Sequence, residues 1–258
     1  MSAITFAIAN QKGGVGKTTT TINLGAALAS FGIPTLLVDM DPQANATSSL
    51  GIEKKSGAGI YEPLLTGSDL SSRVVSTSQD NLWLIPSELD LAAAELELSS
   101  QDNYLVKLRE SLSHLSDNYG FQAILIDCPP TLGILSMNSL CAANYLLITL
   151  QSEYLALEGL SQITGVIKQL KESGANPILE LGGIAMTMYD NRTRLSHEVW
   201  QEVNQYYPKE IFQTTIPRTI RLSEAPSFGK TIFQYDPKGV GAKSYLALAK
   251  EVKQRFFA

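Results

Sequence analysis

Hydrophobic residues along this chain fall into short uninterrupted runs that are separated by longer stretches with helical spacing. The runs predict strands at 4–9, 35–39, 81–86, 123–127, 145–150, 181–188 and 211–217. The intervening stretches predict helices at 16–31, 102–118, 132–143, 155–173, 193–206 and 241–256. Because most runs are continuous rather than alternating, they are typical of strands buried on both faces of a parallel sheet. The alternation of strands and helices therefore predicts an α/β fold, a single doubly wound, mostly parallel sheet with helices on both faces.

The same pattern predicts one domain over residues 1–258. No internal repeat, low-complexity tract or linker interrupts the sequence, and a chain of 258 residues can bury one large core. Ligands of doubly wound sheets bind beyond the carboxyl ends of the strands, so functional residues are expected there. The segment 51–80 is rich in Gly and Ser, and we expect it to be a mobile part of the surface.

Cysteine usage and hydropathy exclude several classes of protein. Cys128 and Cys141 are too few for a disulfide scaffold, and the two histidines lie too far apart for a zinc site. No apolar run approaches the roughly 20 residues that a membrane-spanning helix needs. The N-terminus also lacks the basic and apolar regions of a signal peptide. A cytoplasmic protein is therefore expected.

Charge is distributed unevenly along the chain, whose net charge is −5. Residues 1–184 hold 9 Lys+Arg and 18 Asp+Glu, whereas residues 185–258 hold 11 Lys+Arg and 7 Asp+Glu. The first part is thus acidic and the last part basic. Such a basic region either presents a local patch to a polyanion or consists of ordinary solvated surface lysines and arginines.

A glycine-rich turn, NQKGGVGKTTTT, joins the first predicted strand to the first predicted helix. Gly13, Gly14 and Gly16 allow backbone angles that other residues avoid, and they leave room for oxygen atoms. Backbone N–H groups and the positive end of the helix then face an anion. In a phosphate-binding loop of this kind, Lys17 would reach the β- and γ-phosphates and the Thr18 hydroxyl would bind Mg²⁺.

The loop departs from the usual G-x-x-x-x-G-K-[ST] pattern, because Gln11 replaces the first glycine and Lys12 adds a second lysine. In this form KGGVGKTTTTINLGAALA resembles the deviant Walker A loop of the ParA/MinD family of ATPases. Further stretches over residues 4–235 resemble its chromosomal ParA (Soj-like) branch: LLVDMDPQANATSSLG, ILIDCPPTLGILSMNSL, QSEYLALEGLSQI, MYDNRTRLS and IPRTIRLSEAPSFGKTI. The resemblance implies a Mg²⁺-dependent P-loop ATPase whose phosphate-binding residues are Lys12, Gly13, Gly14, Val15, Gly16, Lys17, Thr18 and Thr19.

The resemblance also explains the second lysine. In the family, the residue that matches Lys12 reaches across a dimer interface to the phosphates of the partner's ATP. The triphosphate carries about four negative charges and Mg²⁺ cancels two, so a lysine from each subunit supplies charge where water is excluded. Lys12 would thereby couple ATP binding to homodimer formation and stabilise phosphoryl transfer. Gly13 would face the partner chain, and its lack of a side chain would let the two chains approach closely.

Three aspartates complete the expected site. Asp39 and Asp41 emerge at the end of the second predicted strand with both side chains on one face, and Asp127 ends a later buried strand. By resemblance, Asp41 activates the attacking water, and Asp39 and Asp127 join the Thr18 hydroxyl in the metal site. The catalytic residues are then Lys12, Lys17 and Asp41.

Adenine is the expected base, since the [NT]-K-x-D motif of guanine-binding proteins does not occur in the sequence. By resemblance, the adenine pocket is lined by Met188, Pro217 and Arg218. Slow hydrolysis that a partner stimulates is a further expectation from the family.

Three outputs of such an ATPase are compared. In the first, the ATP dimer binds double-stranded DNA without sequence preference, associates with the nucleoid, and is released when a ParB-like or small adaptor protein stimulates hydrolysis. By resemblance, and from the basic last part of the chain, the DNA-binding residues are Arg192, Arg194, Arg218, Arg221, Lys230 and Lys243. Whether the cargo is a chromosome, a plasmid or a protein organelle is left open.

The second output is membrane association, as in the MinD branch, through the apolar face of a C-terminal helix. Core packing of the predicted helix 241–256 is favoured over stable membrane binding, because the helix directly follows the motif region. The third is electron transfer, as in the nitrogenase iron protein, for which Cys128 and Cys141 are poorly placed. The first predicted strand begins near Ile4, so an N-terminal DNA-binding extension is not expected.

Overall fold

A computed structural model of the chain describes residues 3–113, 115, 119–154 and 156–257. In these ranges seven strands form one sheet: β1 (Ile4–Ala9), β2 (Thr35–Asp39), β3 (Val75–Ser76), β4 (Leu82–Ile85), β5 (Ala123–Asp127), β6 (Tyr145–Gln151) and β7 (Glu180–Thr187). The strand order is β3-β4-β2-β5-β1-β6-β7. All neighbours are parallel except the short edge strand β3, which pairs antiparallel with β4.

Helices connect the strands and cover both faces of the sheet. They are α1 (Lys17–Ser30), α2 (Asn45–Ser49), α3 (Tyr61–Thr66), α4 (Leu91–Ser99), α5 (Lys107–Ser113), α6 (Ile134–Ala142), α7 (Ala156–Glu172), α8 (Arg194–Tyr206), α9 (Ile220–Glu224), α10 (Ile232–Tyr235) and α11 (Val240–Phe256). Within the described ranges, no helix is both long enough and apolar enough to cross a bilayer.

Two hydrophobic cores lie on opposite faces of the sheet. Successive side chains of a strand point to opposite faces, so Phe6 and Ile8 of β1 pack in one core and Ala7 and Ala9 in the other. The first core includes α1 and α11, and the second includes α3 to α8. Because both faces are covered, the strands read as continuous apolar runs. The predicted doubly wound α/β fold is confirmed.

The predicted strand at 211–217 is wrong. Beside β7 this segment forms only isolated bridges, at Ile211 and Pro217. The backbone N–H groups of Gln213 and Thr214 donate instead to the carboxylate of Glu251 on α11, at 2.9 and 2.7 Å. Hydrogen-bond donors that a sheet ladder would use are therefore taken by a side chain from a distant part of the sequence.

Segment 51–80, expected to be mobile, contains α3, a 3₁₀ turn and β3. Buried Glu88 anchors this segment to the protein, because its carboxylate accepts the backbone N–H groups of Gly59 and Tyr61 at 3.1 and 3.3 Å. The pattern also missed α2, α4, α9 and α10. Of the predicted helix 102–118, the structure shows a 3₁₀ turn and then α5, and part of its end lies outside the described residues.

Candidate functional site

The glycine-rich turn leaves β1 after Ala9 and enters α1 at Lys17, at the carboxyl edge of the sheet. Gly14 and Gly16 adopt φ angles of +75° and +85°, a left-handed conformation that side chains with a Cβ rarely take. A Cβ added at Gly13 would meet no atom within 4 Å, so this position faces open space in the single chain. The turn thus exposes its backbone at the start of a helix, where anions bind.

Neighbouring strands hold the turn in place. The Thr187 hydroxyl at the end of β7 donates to the carbonyl of Val15 at 2.7 Å, and the Val15 side chain is buried. Asn10 donates through its side-chain amide to the carbonyl of Thr149 at 2.7 Å. Its amide oxygen accepts the backbone N–H of Lys12 at 3.0 Å. The shape of the turn is therefore fixed by contacts with β6 and β7.

Lys17 is buried at the first position of α1. Its ammonium donates to the carbonyl of Lys12 at 3.1 Å. Desolvation by burial lowers the pKa of Lys17, and the nearby charges of Asp127 and Asp41 act in the opposite direction. Because burial removes water from this ammonium, an anionic ligand bound at the exposed glycine turn would be a favourable partner for it.

Asp39 and Asp127 lie opposite each other at the ends of the adjacent strands β2 and β5. Both carboxyls are buried, and burial together with the charge of neighbouring aspartates raises the pKa of each. Asp39 Oδ2 accepts the backbone N–H and the hydroxyl of Thr47 at 2.8 and 2.7 Å. Asp127 Oδ1 accepts the hydroxyl of Thr21 at 3.1 Å. Among the described residues, Asp127 Oδ2 has no hydrogen-bond partner although it is buried.

This unpartnered carboxylate oxygen fits a cation or a water bound to one. The described residues contain no cluster of three or more His, Cys, Asp or Glu side chains that would hold a metal alone. A cation at Asp127 would therefore share its coordination with water and with oxygens of a ligand. This is the usual situation of Mg²⁺, which keeps several waters and binds through one or two carboxylates plus phosphates.

Asp41 is nearly buried in the loop that follows β2. Its Oδ1 accepts the backbone N–H of Gln43 at 2.9 Å, and its carbonyl accepts the Ser87 hydroxyl at 2.7 Å. Its own N–H donates to Asp39 Oδ1 at 3.2 Å. Asp39 and Asp41 are thus directly hydrogen-bonded to each other, and Asp127 lies beside them at the end of the adjacent strand.

Lys12 points away from this network in the single chain. Its ammonium forms an ion pair with Glu153, in the segment between β6 and α7, and the Lys12 side chain is 52% exposed. The two residues line a cavity of about 430 Å³ together with Tyr154, which is 90% exposed. Sequence reasoning missed this pairing, because the two residues lie 141 positions apart.

A second cleft, of about 300 Å³, opens on the other side of the turn. It brings the three predicted adenine-pocket residues, Met188, Pro217 and Arg218, together beside Gly16 and Thr19. The remaining lining residues, which the sequence analysis did not predict, are Thr187, Ile216, Thr219, Leu222, Ser223, Pro226 and Tyr245. Tyr245 lies within the predicted helix 241–256, and this is the sole signal that the sequence offers for it.

Met188 takes a left-handed conformation, with φ +50°, where β7 ends. For a residue with a long side chain this conformation is uncommon and costs free energy that its surroundings must offset. Below the cleft, the Tyr245 hydroxyl and the Thr20 hydroxyl are hydrogen-bonded at 3.1 Å. The strained backbone therefore places Met188 in the wall of a cleft that is also lined by the hydrogen-bonded Tyr245.

The six predicted DNA-binding residues are all exposed. Arg192, Arg194 and Arg221 form ion pairs with local carboxylates at 2.8, 2.6 and 3.1 Å. Arg218, Lys230 and Lys243 form no ion pair with the described residues. Exposed ion pairs of this kind are weak, so the arginines remain able to exchange their partner for a phosphate.

The buried carboxyl of Asp127 predicts an unusual pH dependence of stability. Its pKa is raised to about 8 in the folded chain, so folding favours the protonated form. The contribution of Asp127 to the free energy of unfolding is therefore largest at low pH and is lost as the pH rises toward and through 8. In buffer with EDTA at pH 8–9, Asp127→Asn should raise Tm by about 2–4 °C, the effect of roughly 1 kcal/mol.

The measurement is thermal unfolding followed by circular dichroism between pH 6 and 9. Asp80→Asn, at an exposed position, is the matched control and should follow the wild-type profile. If Asp127→Asn melted below the wild type at pH 8–9, the unfavourable burial of this carboxylate would be disproved.

Comparison with known proteins extends over nearly the whole chain. Residues 3–181 match a family model described as an AAA domain. The chain is 51% identical over 249 residues to the chromosome partitioning protein ParA of Myxococcus xanthus, covering 96% of this chain and 87% of that protein. It is 48% identical over 248 residues to the sporulation initiation inhibitor protein Soj of Bacillus subtilis, covering 96% and 97%.

The fold is also similar to that of solved structures. One is a Mycobacterium smegmatis protein described as cobyrinic acid a,c-diamide synthase with a bound ATP analogue and magnesium, with a TM-score of 0.85 and 35% identity. The alignment covers 99% of this chain and 96% of that chain. Its name describes an enzyme of cobyrinic acid a,c-diamide synthesis. The two partitioning proteins, at 51% and 48% identity, share more identical residues with this chain.

Proposed function

Because the chain belongs to the ParA/MinD family of ATPases, we propose that it is a partition ATPase whose ATP state pairs and binds DNA. The family inferred from the sequence motifs is thereby confirmed. The proposed cycle has three steps. Two ATP-loaded chains pair, the dimer binds double-stranded DNA without sequence preference, and hydrolysis stimulated by a ParB-like or small adaptor releases it. We further propose that residues 1–258 act as one ATPase domain, which the single sheet supports.

The observation that carries the proposal is the meeting of Lys17, Asp41 and Asp127 at one edge of the sheet around an exposed glycine turn. Lys17 would bind the β- and γ-phosphates, and the backbone of residues 13–19 would surround them. The Thr18 hydroxyl and the unpartnered oxygen of Asp127 would hold Mg²⁺. The metal would supply positive charge to the phosphates.

The two aspartates at the end of β2 and in the loop after it have different proposed roles. Asp41 would accept a proton from, or orient, the water that attacks the γ-phosphate. Asp39 Oδ1 already accepts the backbone N–H of Asp41, and its Oδ2 accepts the N–H and hydroxyl of Thr47 on α2, where the loop that carries Asp41 ends. Asp39 would therefore act mainly by fixing this loop and by adding negative charge to the metal site.

The cleft beside Gly16 and Thr19 would hold adenine. Met188 and Pro217 give it apolar walls of the kind that bind a flat ring, and Arg218 lies at its exposed side. The turn and the cleft share Gly16, so a triphosphate and its base would occupy continuous space.

Pairing would depend on Lys12. The proposal requires that Lys12 leave Glu153 and approach the phosphates of the partner's ATP, because the intramolecular ion pair is half exposed and therefore weak. At a closed interface water is excluded and the same ammonium interacts more strongly with a polyphosphate.

The structure offers little support for a MinD-like membrane anchor. The apolar positions of α11, namely Tyr245, Leu248, Ala249 and Val252, are buried in the core that α11 shares with α1. A helix whose apolar face is already packed has nothing left on that face to insert into lipid. The two cysteines, which a cluster shared between subunits would need, are both buried.

The test uses Asp41→Ala, which should bind ATP but not hydrolyse it. We expect it to remain on DNA of any sequence with ATP at 50 mM salt, and to dissociate at 300 mM salt or when ADP replaces ATP. Binding through several phosphate contacts should fall steeply with salt. Retention is measured by filter binding on two unrelated DNA fragments.

Two controls sharpen this test. Arg192→Ala combined with Arg194→Ala should weaken retention on both fragments equally, whereas Lys168→Ala on α7 should leave it unchanged. Undiminished phosphate release by Asp41→Ala would refute the role of Asp41. Retention that is selective for one sequence and insensitive to salt would refute non-specific DNA binding.

A further inference from the structure

One helix presents an apolar face that nothing in the described chain covers. Ala92, Ala93 and Leu96 on α4, together with Leu89 in the turn before it, follow the spacing i, i+3, i+4 and i+7, and we call them the α4 stripe. The Leu89 carbonyl accepts the backbone N–H of Ala92 at 3.1 Å, so this turn leads directly into the helix. Leu96 is 81% exposed and Leu89 69% exposed. The opposite face of α4 is buried in the core through three residues, Leu91, Ala94 and Leu98. Two exposed leucines, one on this short helix and one in the turn before it, indicate a contact surface.

The surroundings of the α4 stripe are acidic. The segment 88–102 contains no lysine or arginine, and its five acidic residues are Glu88, Asp90, Glu95, Glu97 and Asp102. Glu88 is buried, and Asp90 and Glu97 accept hydrogen bonds from the hydroxyls of Ser56 and Tyr61. Neutral groups thus hold Asp90 and Glu97, and among the described residues no salt bridge cancels their negative charge.

The α4 stripe is also linked to the nucleotide site. The carboxylate of Glu95, one residue before Leu96, lies directly against Gly133, and a methyl group at Gly133 would overlap it. Gly133 ends the turn that follows Asp127 and it precedes α6. A ligand that moved Glu95 would therefore act on the turn next to the proposed metal site.

We propose that the α4 stripe is the docking surface for a cationic amphipathic segment of the adaptor protein. This inference rests on the proposed function, because it locates the adaptor that stimulates hydrolysis. The apolar face of the segment would cover Leu89 and Leu96, and its lysines or arginines would lie beside Asp90, Glu95 and Glu97. Drawing Glu95 toward a cation would release Gly133 and the turn after Asp127.

Charge distinguishes this occupant from the alternatives. Two copies of the α4 stripe facing each other would bring two acidic rims together, which costs free energy. DNA and anionic lipid would be repelled by the same rim. A partner with apolar and cationic side chains matches both properties of the surface.

The probe is a fluorescein-labelled 18-residue peptide of Leu and Lys with one apolar helical face, compared with a Leu and Glu peptide of the same pattern. The wild-type chain should bind the Leu–Lys peptide and not the Leu–Glu peptide, and the Leu–Lys peptide should accelerate phosphate release. Replacing both Leu89→Ser and Leu96→Ser should weaken peptide binding by about tenfold or more, because each leucine loses most of its buried apolar area.

Two controls distinguish binding at the α4 stripe from a loss of folding and from non-specific hydrophobic binding of the peptide. Ile178→Ser removes an aliphatic side chain that is 64% exposed elsewhere, and it should leave peptide binding unchanged. Basal ATP turnover of the double variant should equal that of the wild type. Fluorescence anisotropy measures binding, and phosphate release measures the response.

Two outcomes would overturn the proposal. One is equal affinity of the wild type and the double variant for the Leu–Lys peptide. The other is unchanged peptide affinity with loss of ATP-dependent pairing in light scattering, which would assign the α4 stripe to a second copy of the chain. If peptide binding depended on the stripe while the wild type neither hydrolysed ATP nor bound DNA, the docking surface would be supported and the partition function overturned.

Discussion

Lys17→Ala is expected to weaken ATP binding by about 100-fold or more, the cost of roughly 3 kcal/mol that follows loss of one partner from a buried charge pair. The effect is large because the Lys17 side chain is buried, so water replaces it poorly as a partner of the phosphates. Its ammonium is already held over the glycine turn by the carbonyl of Lys12. Titration with a fluorescent ATP analogue in the presence of Mg²⁺ measures the change.

Lys168→Ala is the matched control, since Lys168 is an exposed lysine on α7 whose one ion pair with the described residues is to Glu172, at 3.7 Å. Its affinity for the analogue should equal that of the wild type. Burial lowers the pKa of Lys17, which means that the charged form is desolvated at a cost. Lys17→Ala should therefore fold, with a Tm near that of the wild type in nucleotide-free buffer. Affinity within threefold of the wild type would disprove the role of Lys17.

Lys12→Ala is expected to abolish ATP-dependent pairing while ATP affinity stays within about threefold of the wild type. The side chain is half exposed in the single chain, and it contacts Glu153 rather than the backbone of the turn. Its charge becomes important only where a second chain excludes water from the phosphates. Light scattering with a non-hydrolysable ATP analogue measures the dimer, and analogue titration measures affinity.

Glu153→Gln provides a comparison at the same contact. It removes the charge that holds Lys12 within its own chain, so pairing should occur at an equal or lower protein concentration than in the wild type. Normal pairing of Lys12→Ala would contradict the proposed contact across the interface. Loss of pairing in Glu153→Gln would indicate that Glu153 itself belongs to that interface.

The sequence predicted the sheet best where burial alone decides the structure. Six of the seven predicted strands were found close to their expected bounds, because strands covered on both faces must be apolar throughout. The segment 211–217 has a similar composition, but the carboxylate of Glu251 takes two of its N–H groups. No local pattern shows that a residue on the last helix will compete for hydrogen bonds of this segment.

The candidate site shows the same division between local and distant contacts. The glycine turn and the strand-end aspartates could be predicted, since their neighbours in sequence determine their positions. Met188, Pro217 and Arg218 were identified by family resemblance, and the structure brings them together from separate segments. The Lys12–Glu153 pair and the place of Tyr245 under the cleft depend on folding, so the sequence pattern gave no signal for them.

The hydrogen bond from the Lys17 ammonium to the Lys12 carbonyl links the two lysines through the main chain. The ammonium that would bind a phosphate is thus the group that stabilises the main chain at Lys12. A bound anion competes for this donor, so the hydrogen bond to the Lys12 carbonyl weakens as the contact with the phosphate strengthens. Nucleotide binding would in this way release residue 12 for contact with a second molecule, without any movement of the surrounding sheet.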